Sequence, residues 1–432
     1  MHFETLTVHA GGEPDPATGA LAPAIHPATT FVHSADGAPL SGRIYAREGN
    51  PTEERLELAL AALEGGATAI AFASGTAAAV ALVQALPDGA TIAFHRDLYS
   101  GFRELAIDYL PGWGRQARFA DLGDERELAA AARGAAALWI ETPTNPLLEI
   151  LDLDAVARAA HAAGALLVVD NTFATPALQR PLEHGADVVL HSTTKYLGGH
   201  SDVLGGALVF ARADELAGRT QEVRKHLGAA ASPFASWLVL RGVRTLACRV
   251  ARQSATALTL AEAFAGDRCI AALHYPGLAT HPRHAIAARQ MSGGFGGMLS
   301  LRIAGGRDAA VAVAARLRLI TNATSLGGVE SLVEHRASIE GPGSTTPDDL
   351  LRLSVGLEHP DDLVEDIRRA RALSRDARDG FVVTELIFWG FAVATWSFAL
   401  TLDERAFAAA TAVGIAVYWP VALLLKRRAV RG

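Results

Sequence analysis

The sequence predicts an α/β protein in which a largely parallel sheet is covered by helices. Short apolar runs alternate with Ala- and Leu-rich helical segments between residues 69 and 210, and runs that are apolar on both faces are typical of strands buried between helices. A smaller α/β region follows, and the chain ends in two apolar segments, each of about 20 residues, the length that a helix needs to cross a bilayer. These observations predict four parts: an N-terminal arm (1–48), a main domain (49–246), a C-terminal domain (247–376) and a two-helix segment (377–432).

The arm, residues 1–48, is rich in Pro and Gly and shows neither a helical nor a strand period, so we expect no packed core there. A helix should begin directly after it, because Asn50 can cap the first turn and Pro51 is favoured at the first helical position. Gly65 and Gly66 then predict the end of that helix.

Strands and helices alternate along the main domain. Six apolar runs predict strands at residues 69–73, 91–94, 137–140, 166–169, 188–190 and 207–210. The helices predicted between them include residues 77–86 and 155–163. A long helix over residues 237–264 leads into the C-terminal domain, for which the pattern predicts strands at 298–303 and 352–357 and helices at 309–317 and 360–371.

Composition excludes several classes of protein. The 432 residues carry a net charge of −7 and no long basic tract, which argues against a nucleic-acid partner. The two cysteines, Cys248 and Cys269, stand in no CxxC or Cys/His spacing, so neither a metal site nor a disulfide framework is expected. This cysteine usage fits a reducing cytoplasm, and residues 1–10 contain no apolar signal-peptide region.

Residues 381–402 and 406–425 are nearly continuous apolar runs joined by a short charged segment. Basic residues precede the first run and follow the second, so both basic flanks lie on one side of an in–out–in hairpin. We therefore predict that residues 381–425 anchor a cytoplasm-facing protein to the inner face of the cell membrane. Glu385 inside the first run weakens this prediction, and the alternatives are a buried helical hairpin or an accidental fusion.

Lys195 is the most informative residue of the chain. It follows an apolar run and two hydroxyl residues, Ser192 and Thr194, while Asp170 follows an earlier apolar run. Because open α/β sheets bind ligands at strand ends, we expect Lys195 and Asp170 to lie close together. Pyridoxal 5′-phosphate (PLP) requires this set: an amine that binds it covalently, hydroxyls for its phosphate and a carboxylate that keeps its ring nitrogen protonated. A surface lysine is the alternative.

A phosphate site is expected where two of these segments meet. Gly75 and Thr76 open a helix after a strand, and backbone N–H groups at such a helix start bind phosphate. Ser192 and Thr194 alternate by two and could face the same phosphate. Tyr99 follows the next strand and could stack on the pyridine ring, although a single tyrosine is more often part of a core.

Three further segments carry groups suited to a cofactor or an amino acid. Tyr45 and Arg47 in the arm point to one side of an extended stretch, and both could reach a phosphate. Two prolines form a rigid turn that could aim Asn145 at the cofactor. Arg352 begins a predicted strand and suits the α-carboxylate of an amino acid. Taken singly, each is equally compatible with a solvated surface.

Together these segments resemble the Cys/Met metabolism (trans-sulfuration) PLP-dependent enzymes, which include cystathionine γ-synthase, cystathionine γ-lyase, methionine γ-lyase and the homoserine sulfhydrylases. The resemblance extends over residues 3–372 and is carried, in order, by residues 5–15, 45–52, 74–76, 141–146, 169–173, 191–199, 295–300, 325–331 and 352–358. It implies an enzyme with a fold-type I transferase architecture. It also implies a homotetramer, built from dimers whose subunits share active sites.

The resemblance also implies three groups of site residues. The catalytic residues are Lys195, Tyr99 and Asp170. The cofactor-binding residues are these three together with Tyr45, Arg47, Gly75, Thr76, Ser192 and Thr194, of which Tyr45 and Arg47 would come from the neighbouring subunit. The substrate-binding residues are Asn145, Ser325 and Arg352.

Two departures from the family pattern bear on the substrate. Methionine γ-lyases carry a cysteine two residues after the stacking tyrosine, where this chain has Gly101. Cystathionine γ-synthases and γ-lyases often carry a glutamate where this chain has Thr324. The resemblance thus predicts γ-replacement or γ-elimination on sulfur or homoserine-derived amino acids, of the cystathionine γ-synthase or γ-lyase type. The alternatives are an O-acyl-homoserine sulfhydrylase, a methionine γ-lyase and a non-catalytic, membrane-tethered PLP-binding regulator.

Overall fold

Two sheets form the framework of the protein, which is represented by a computed structural model that describes residues 1–341 and 344–373. The main sheet contains seven strands: β1 (Thr68–Phe72), β2 (Thr91–His95), β3 (Gln116–Ala120), β4 (Ala137–Glu141), β5 (Leu166–Asp170), β6 (Val188–His191) and β7 (Gly206–Phe210). The second sheet contains five: β8 (Ile270–His274), β9 (Met298–Ile303), β10 (Thr321–Asn322), β11 (Leu332–His335) and β12 (Leu350–Ser354).

Helices connect the strands and cover the sheets. The α-helices are α1 (Phe3–His9), α2 (Pro51–Glu64), α3 (Gly75–Ala85), α4 (Ser100–Glu104), α5 (Glu125–Ala132), α6 (Leu153–Ala162), α7 (Thr175–Leu178), α8 (Glu215–Leu227), α9 (Pro233–Val243), α10 (Leu246–Phe264), α11 (His284–Gln290), α12 (Gly306–Ala314) and α13 (Arg336–Glu340). Residues 360–373 are also helical. Short π- or 3₁₀-helical turns occupy Leu105–Tyr109, Pro111–Trp113 and Pro181–His184.

The main sheet is mixed rather than wholly parallel. Its strand order is β1-β7-β6-β5-β4-β2-β3, and only β7 runs against its neighbours β1 and β6. The carboxyl ends of the other six strands therefore lie on one edge of the sheet, where open α/β sheets bind ligands. In the register of that edge, Asp170 on β5 lies beside Glu141 on β4 and Leu190 on β6.

Strand β5 shows why the predicted runs are apolar on both faces. Leu167 and Val169 pack into one core, together with Leu56 of α2, while Val168 packs into the other core with Trp139. Since successive side chains of a strand point to opposite faces, a sheet covered on both sides needs apolar residues at every position. The prediction of a helix-covered α/β sheet is confirmed.

Helix α2 begins and ends where its sequence predicts. The Asn50 side chain accepts a hydrogen bond from Thr52 N at 2.9 Å, and Pro51 occupies the first helical position. Gly65 adopts a φ of 73°, a left-handed conformation that glycine takes without steric cost.

The five-stranded sheet has the order β10-β11-β12-β9-β8. Its core includes Leu299, Leu353 and Val313, together with Leu363 from the helix at 360–373. Because β11 and β12 are antiparallel, Glu334 lies directly opposite Arg352. Residues that are 18 positions apart in the sequence are thereby brought side by side.

Strands β3, β8, β10 and β11 were not predicted, and two helical regions differ from the prediction. Strand β3 was missed because it is a partly exposed edge strand in which Gln116 and Arg118 interrupt the apolar pattern. The single helix predicted over residues 237–264 is wrong, since the chain breaks between α9 and α10 at Arg244 and Thr245. The arm begins with helix α1, which is too short to show a period and is stabilised by packing on α2 and α10.

The hairpin predicted at residues 381–425 lies outside the described residues. Within residues 1–341 and 344–373, no helix combines the length and the apolar character needed to cross a membrane. Membrane anchoring therefore stays a prediction from the sequence.

Candidate active site

Lys195 lies four residues beyond the end of β6, at the carboxyl edge of the main sheet. Its Nζ donates a hydrogen bond to Ser325 Oγ at 2.9 Å. Burial, together with the positive charge of Arg352, lowers the pKa of Lys195 from 10.5 to about 8. A substantial fraction of the amine is therefore neutral near physiological pH, the state that can attack an aldehyde.

Asp170 is the last residue of β5, on the strand next to β6. Its Oδ1 accepts a hydrogen bond from Thr172 N at 2.9 Å, and Thr172 Oγ1 accepts one from Ser192 N at 2.9 Å. Thr172, which the sequence did not single out, thus ties the end of β5 to the hydroxyl segment before Lys195. Desolvation raises the pKa of Asp170, so a cation placed against its carboxylate would be stabilising.

Glu141 is a second acid at this edge, on the strand next to Asp170. Burial raises the pKa of Glu141 well above its usual range, and the neighbouring charge of Asp170 raises it further. Its Oε1 accepts a hydrogen bond from Tyr99 N at 2.7 Å. Glu141 therefore positions the Tyr99 turn, a role that its place in the predicted motif at 141–146 did not reveal.

The expected phosphate cradle is formed by the start of α3 and the segment after β6. Ser74 caps α3 by accepting a hydrogen bond from Ala77 N at 3.0 Å. A Cβ added to Gly75 would lie 3.1 Å from Ser192 Cα and Cβ, so only glycine allows the two segments to approach so closely. Thr76 is exposed on the same turn. The hydroxyl of Thr194 donates to Gly205 O at 3.1 Å and accepts from Gly205 N at 3.0 Å.

The Tyr99 ring is 40% exposed and packs edge-to-face on Phe102, with ring centroids 5.4 Å apart. Its partial exposure leaves a ring face available for stacking. A Cβ added to Gly101 would lie 2.6 Å from Tyr99 Cε1. Any side chain at residue 101 would therefore displace the tyrosine ring.

Arg352 joins the three predicted substrate residues. Its Nη1 donates to Asn145 Oδ1 at 3.0 Å, and its Nη2 donates to the backbone oxygen of Ser325 at 3.2 Å. Ser325 has a φ of 111°, which L-residues seldom adopt and which costs about 1–3 kcal/mol. The contacts of Ser325 with Arg352 and Lys195 hold it in this conformation.

The clamp consists of Arg352, Asn145, Ser325 and a buried acid that the sequence missed, Glu334. Glu334 Oε2 pairs with Arg352 Nη2 at 2.6 Å, and the two side chains are 3% and 4% exposed. Burial lowers the pKa of Arg352 to about 10, while the charge of Glu334 opposes that shift. The sequence signal that could have identified Glu334 is its place in a short apolar strand, where a charged residue needs a partner.

Tyr45 and Arg47 are not brought together with the other site residues within one chain. Both are exposed, and the Arg47 guanidinium lies 5.2 Å from the centre of the Tyr45 ring. Within the part of the chain that the structure describes, no hydrogen bond or ion pair joins either residue to Lys195, Ser192 or Gly75.

The described residues fit PLP by three observations. A partly neutral amine, a desolvated carboxylate and a glycine-lined turn beside two hydroxyls lie at one edge of the sheet. They match the aldehyde, the ring nitrogen and the phosphate of PLP respectively. The roles of the individual residues stay predictions.

Comparison with known proteins identifies what the chain is similar to. The family model described as Cys/Met metabolism PLP-dependent enzyme matches residues 4–372. Cystathionine gamma-synthase of Mycobacterium tuberculosis is 46% identical over 373 residues, with 85% of this chain and 96% of that protein covered. Cystathionine gamma-lyase of Saccharomyces cerevisiae is 40% identical over 384 residues, with 85% and 96% covered.

A solved structure shows the same architecture. The crystal structure of cystathionine gamma synthase from Xanthomonas oryzae pv. oryzae, in complex with aminoacrylate and cysteine, matches with a TM-score of 0.83 and 42% identity. The match covers 87% of this chain and 99% of that chain. The second, smaller sheet is therefore part of the shared fold and not an addition to it.

Proposed function

The chain belongs to the Cys/Met metabolism PLP-dependent enzymes, and from this premise we propose that it acts as a cystathionine γ-synthase. In this reaction the Cγ–O bond of an O-acylhomoserine breaks and a Cγ–S bond to cysteine forms. The acyl group leaves as a carboxylate, and the thiol proton is released. The chain is thus a PLP-dependent trans-sulfuration enzyme.

One observation carries the proposal: the amine of Lys195 and the guanidinium of Arg352 meet on Ser325. An α-amino acid bound here would place its carboxylate on Arg352 and its Cα close to Lys195 Nζ. The main-domain amine and the C-terminal-domain clamp are thereby combined in one site that recognises an amino acid.

PLP supplies the electron sink that makes protons at the substrate Cα and Cβ acidic. The residues of the chain do the rest. Lys195 Nζ, with a pKa of about 8, can take a proton from the substrate and return it near neutral pH. Arg352 and Asn145 orient the substrate carboxylate, and Asp170 would hold the ring nitrogen in its charged form.

The choice among reactions rests on two observations. The mycobacterial synthase shares more of its sequence with this chain than the yeast lyase does, which supports replacement over elimination. Methionine γ-lyase activity is disfavoured because residue 101 is Gly, where methionine γ-lyases carry a cysteine.

The test is a steady-state assay of the purified protein with O-acetylhomoserine or O-succinylhomoserine and cysteine. We expect cystathionine to form, as measured by mass spectrometry, and to form faster than cystathionine alone yields ammonia and keto acid. A faster breakdown of cystathionine would instead identify a lyase, and an absence of both activities would support the non-catalytic alternative.

We also propose that Tyr45 and Arg47 complete the site of a neighbouring subunit in a homotetramer. The exposure of both residues supports this, as do the exposed apolar residues Leu21, Val32 and Leu40 of the arm.

The test mixes two variants, Arg47→Ala and Lys195→Ala, each of which should be inactive alone. Subunit exchange between them should restore about a quarter of wild-type activity, because half the sites of a mixed dimer are intact. No recovery, although native mass spectrometry shows mixed dimers, would place Arg47 in its own subunit's site.

We propose, from the sequence alone, that residues 381–425 anchor the enzyme to the cytoplasmic face of a membrane. Their apolar length and the basic residues on both flanks support this. The full-length protein should stay in a carbonate-washed membrane fraction, whereas a chain that ends at residue 376 should be soluble and active. Recovery of the full-length protein without detergent would contradict the proposal.

A further inference from the structure

A second buried arginine lies next to the substrate clamp. Arg336, the first residue of α13, is 3% exposed. Its Nη1 pairs with Glu334 Oε2 at 3.1 Å, and its Nη2 pairs with Glu340 Oε1 at 2.6 Å. The reaction described above assigns no role to this cation, although burying a charged side chain costs free energy of desolvation.

Glu334 is shared between the two arginines. The same Oε2 atom that accepts from Arg336 also pairs with Arg352 at 2.6 Å. Positive and negative charges therefore alternate along one buried row of side chains, from Arg352 through Glu334 and Arg336 to Glu340. Glu334 Oε1 and Arg336 Nε have no hydrogen-bond partner within the described residues.

The far end of this row of charges lies at a cavity that Asn145 also lines. Glu340 Oε2 accepts hydrogen bonds from Ser344 Oγ at 2.5 Å and from Thr346 Oγ1 at 2.8 Å. Glu340, Ser344 and Thr346 line a cavity of about 210 Å³ together with Asn145, which contacts Arg352. Arg336 Nη2 also donates to Ser100 Oγ at 3.3 Å, directly after Tyr99.

The charge balance explains why the second arginine matters. If Glu334 paired with Arg352 alone, the two charges would cancel, and the attraction of Arg352 for a substrate carboxylate would be weak. Arg336 draws on the same oxygen and is itself oriented by Glu340. A carboxylate that is shared in this way cancels only part of the charge of Arg352. Positive potential therefore remains at Arg352, because Glu340 lies at the far end of the row of charges.

We propose that Arg336 is a positioning residue for substrate binding: by sharing Glu334, it leaves Arg352 oriented and electrostatically available to the α-carboxylate of the substrate. The proposal rests on the proposed function only in that the substrate is an amino acid. Within the described residues, no hydrogen bond or ion pair joins Arg336 to Lys195.

The same charges act on Lys195. Arg352 on β12 and Arg336 on α13 lower the pKa of the lysine, and Glu334 on β11 raises it. Removal of the Arg336 charge should therefore raise the pH at which the Lys195 nitrogen titrates. Removal of the Glu340 charge should lower it, because Glu340 opposes the positive potential at Arg352. A purely structural defect would not shift the two variants in opposite directions.

The test compares Arg336→Gln, Arg336→Lys and Glu340→Gln in the holoenzyme. We expect Arg336→Gln to raise KM for the amino-acid substrate about 10- to 100-fold with a smaller change in kcat, since truncating a buried charge pair weakens binding. Arg336→Lys should restore most of the affinity. The pH midpoint of the cofactor's visible absorbance should move up in Arg336→Gln and down in Glu340→Gln.

Two controls separate the outcomes. Arg115→Gln removes another buried arginine, which pairs with Asp88 at 3.1 Å away from this site, and should leave KM unchanged. Binding of glycine, measured by the change in cofactor absorbance, tests the clamp without γ-chemistry, so it remains informative if the protein lacks synthase activity.

Unchanged glycine affinity in Arg336→Gln would overturn the proposal. So would pH midpoints of Arg336→Gln and Glu340→Gln that move in the same direction. Glu340→Gln keeps it testable if Arg336→Gln does not fold.

Discussion

Replacing Lys195 with alanine is expected to lower kcat by about 10⁴-fold or more, since the same amine binds the cofactor and moves protons in the reaction. The structure places its Nζ 2.9 Å from Ser325 Oγ, and Arg352 donates a hydrogen bond to the backbone oxygen of the same serine. The only other lysine of the described residues is Lys225, which lies on α8. The variant should also lose the visible absorbance of covalently bound cofactor, which a spectrum of the purified protein measures.

The matched control is Lys225→Ala on α8. Lys225 Nζ forms an ion pair with Glu48 at 3.4 Å, and surface pairs of this kind contribute about 0–1 kcal/mol. We expect Lys225→Ala to retain the cofactor spectrum and most of its turnover. If Lys195→Ala turned over substrate at the wild-type rate, the assignment of the site would be wrong.

Replacing Asp170 with asparagine is expected to lower kcat by about 10³-fold, because an amide cannot stabilise a positive charge on the ring nitrogen as a carboxylate does. Desolvation raises the pKa of Asp170, so a cation against the carboxylate would favour its ionised form. Cofactor affinity should fall as well, and fluorescence titration of the apoenzyme with PLP would measure it.

Asp187→Asn provides the control for Asp170. Asp187 is also a buried aspartate, but it precedes β6 at the opposite edge of the sheet and pairs there with Arg212 at 3.1 Å and with His161 at 2.9 Å. Its loss should lower thermal stability without changing cofactor affinity. If Asp170→Asn were fully active and Asp187→Asn lost cofactor affinity, the assignment of Asp170 to the cofactor site would be wrong.

The strands of the main sheet could be predicted because their signal is local. Each of the six predicted runs is apolar on both faces, as burial between two helical layers requires. Asp170 and Lys195 could be found for the same reason: each is a polar residue that closely follows such a run. The edge strand β3 could not, because Gln116 and Arg118 interrupt its apolar pattern.

The charged partners of Arg352 are the part that local patterns missed. Glu334 and Arg336 belong to a short strand and a one-turn helix, and neither stands in a motif that points to a cofactor. Their importance comes from the antiparallel register of β11 and β12, which sets Glu334 against Arg352. Such a register depends on the packing of the whole second sheet.

By itself, the sequence determined the main sheet, its ligand-binding edge and the residues that identify the family. The signals for these features are the spacing of apolar residues and the polar residues that follow a strand, and both can be read from residues close together in the sequence. Only the tertiary structure decided which charges meet. Residues as distant as Lys195 and Ser325, or Asn145 and Arg352, are joined between the parts of the chain that form the two sheets. Electrostatic interactions weaken with distance and depend on burial, so the shared carboxylate of Glu334 exists only once β11, β12 and α13 are packed together.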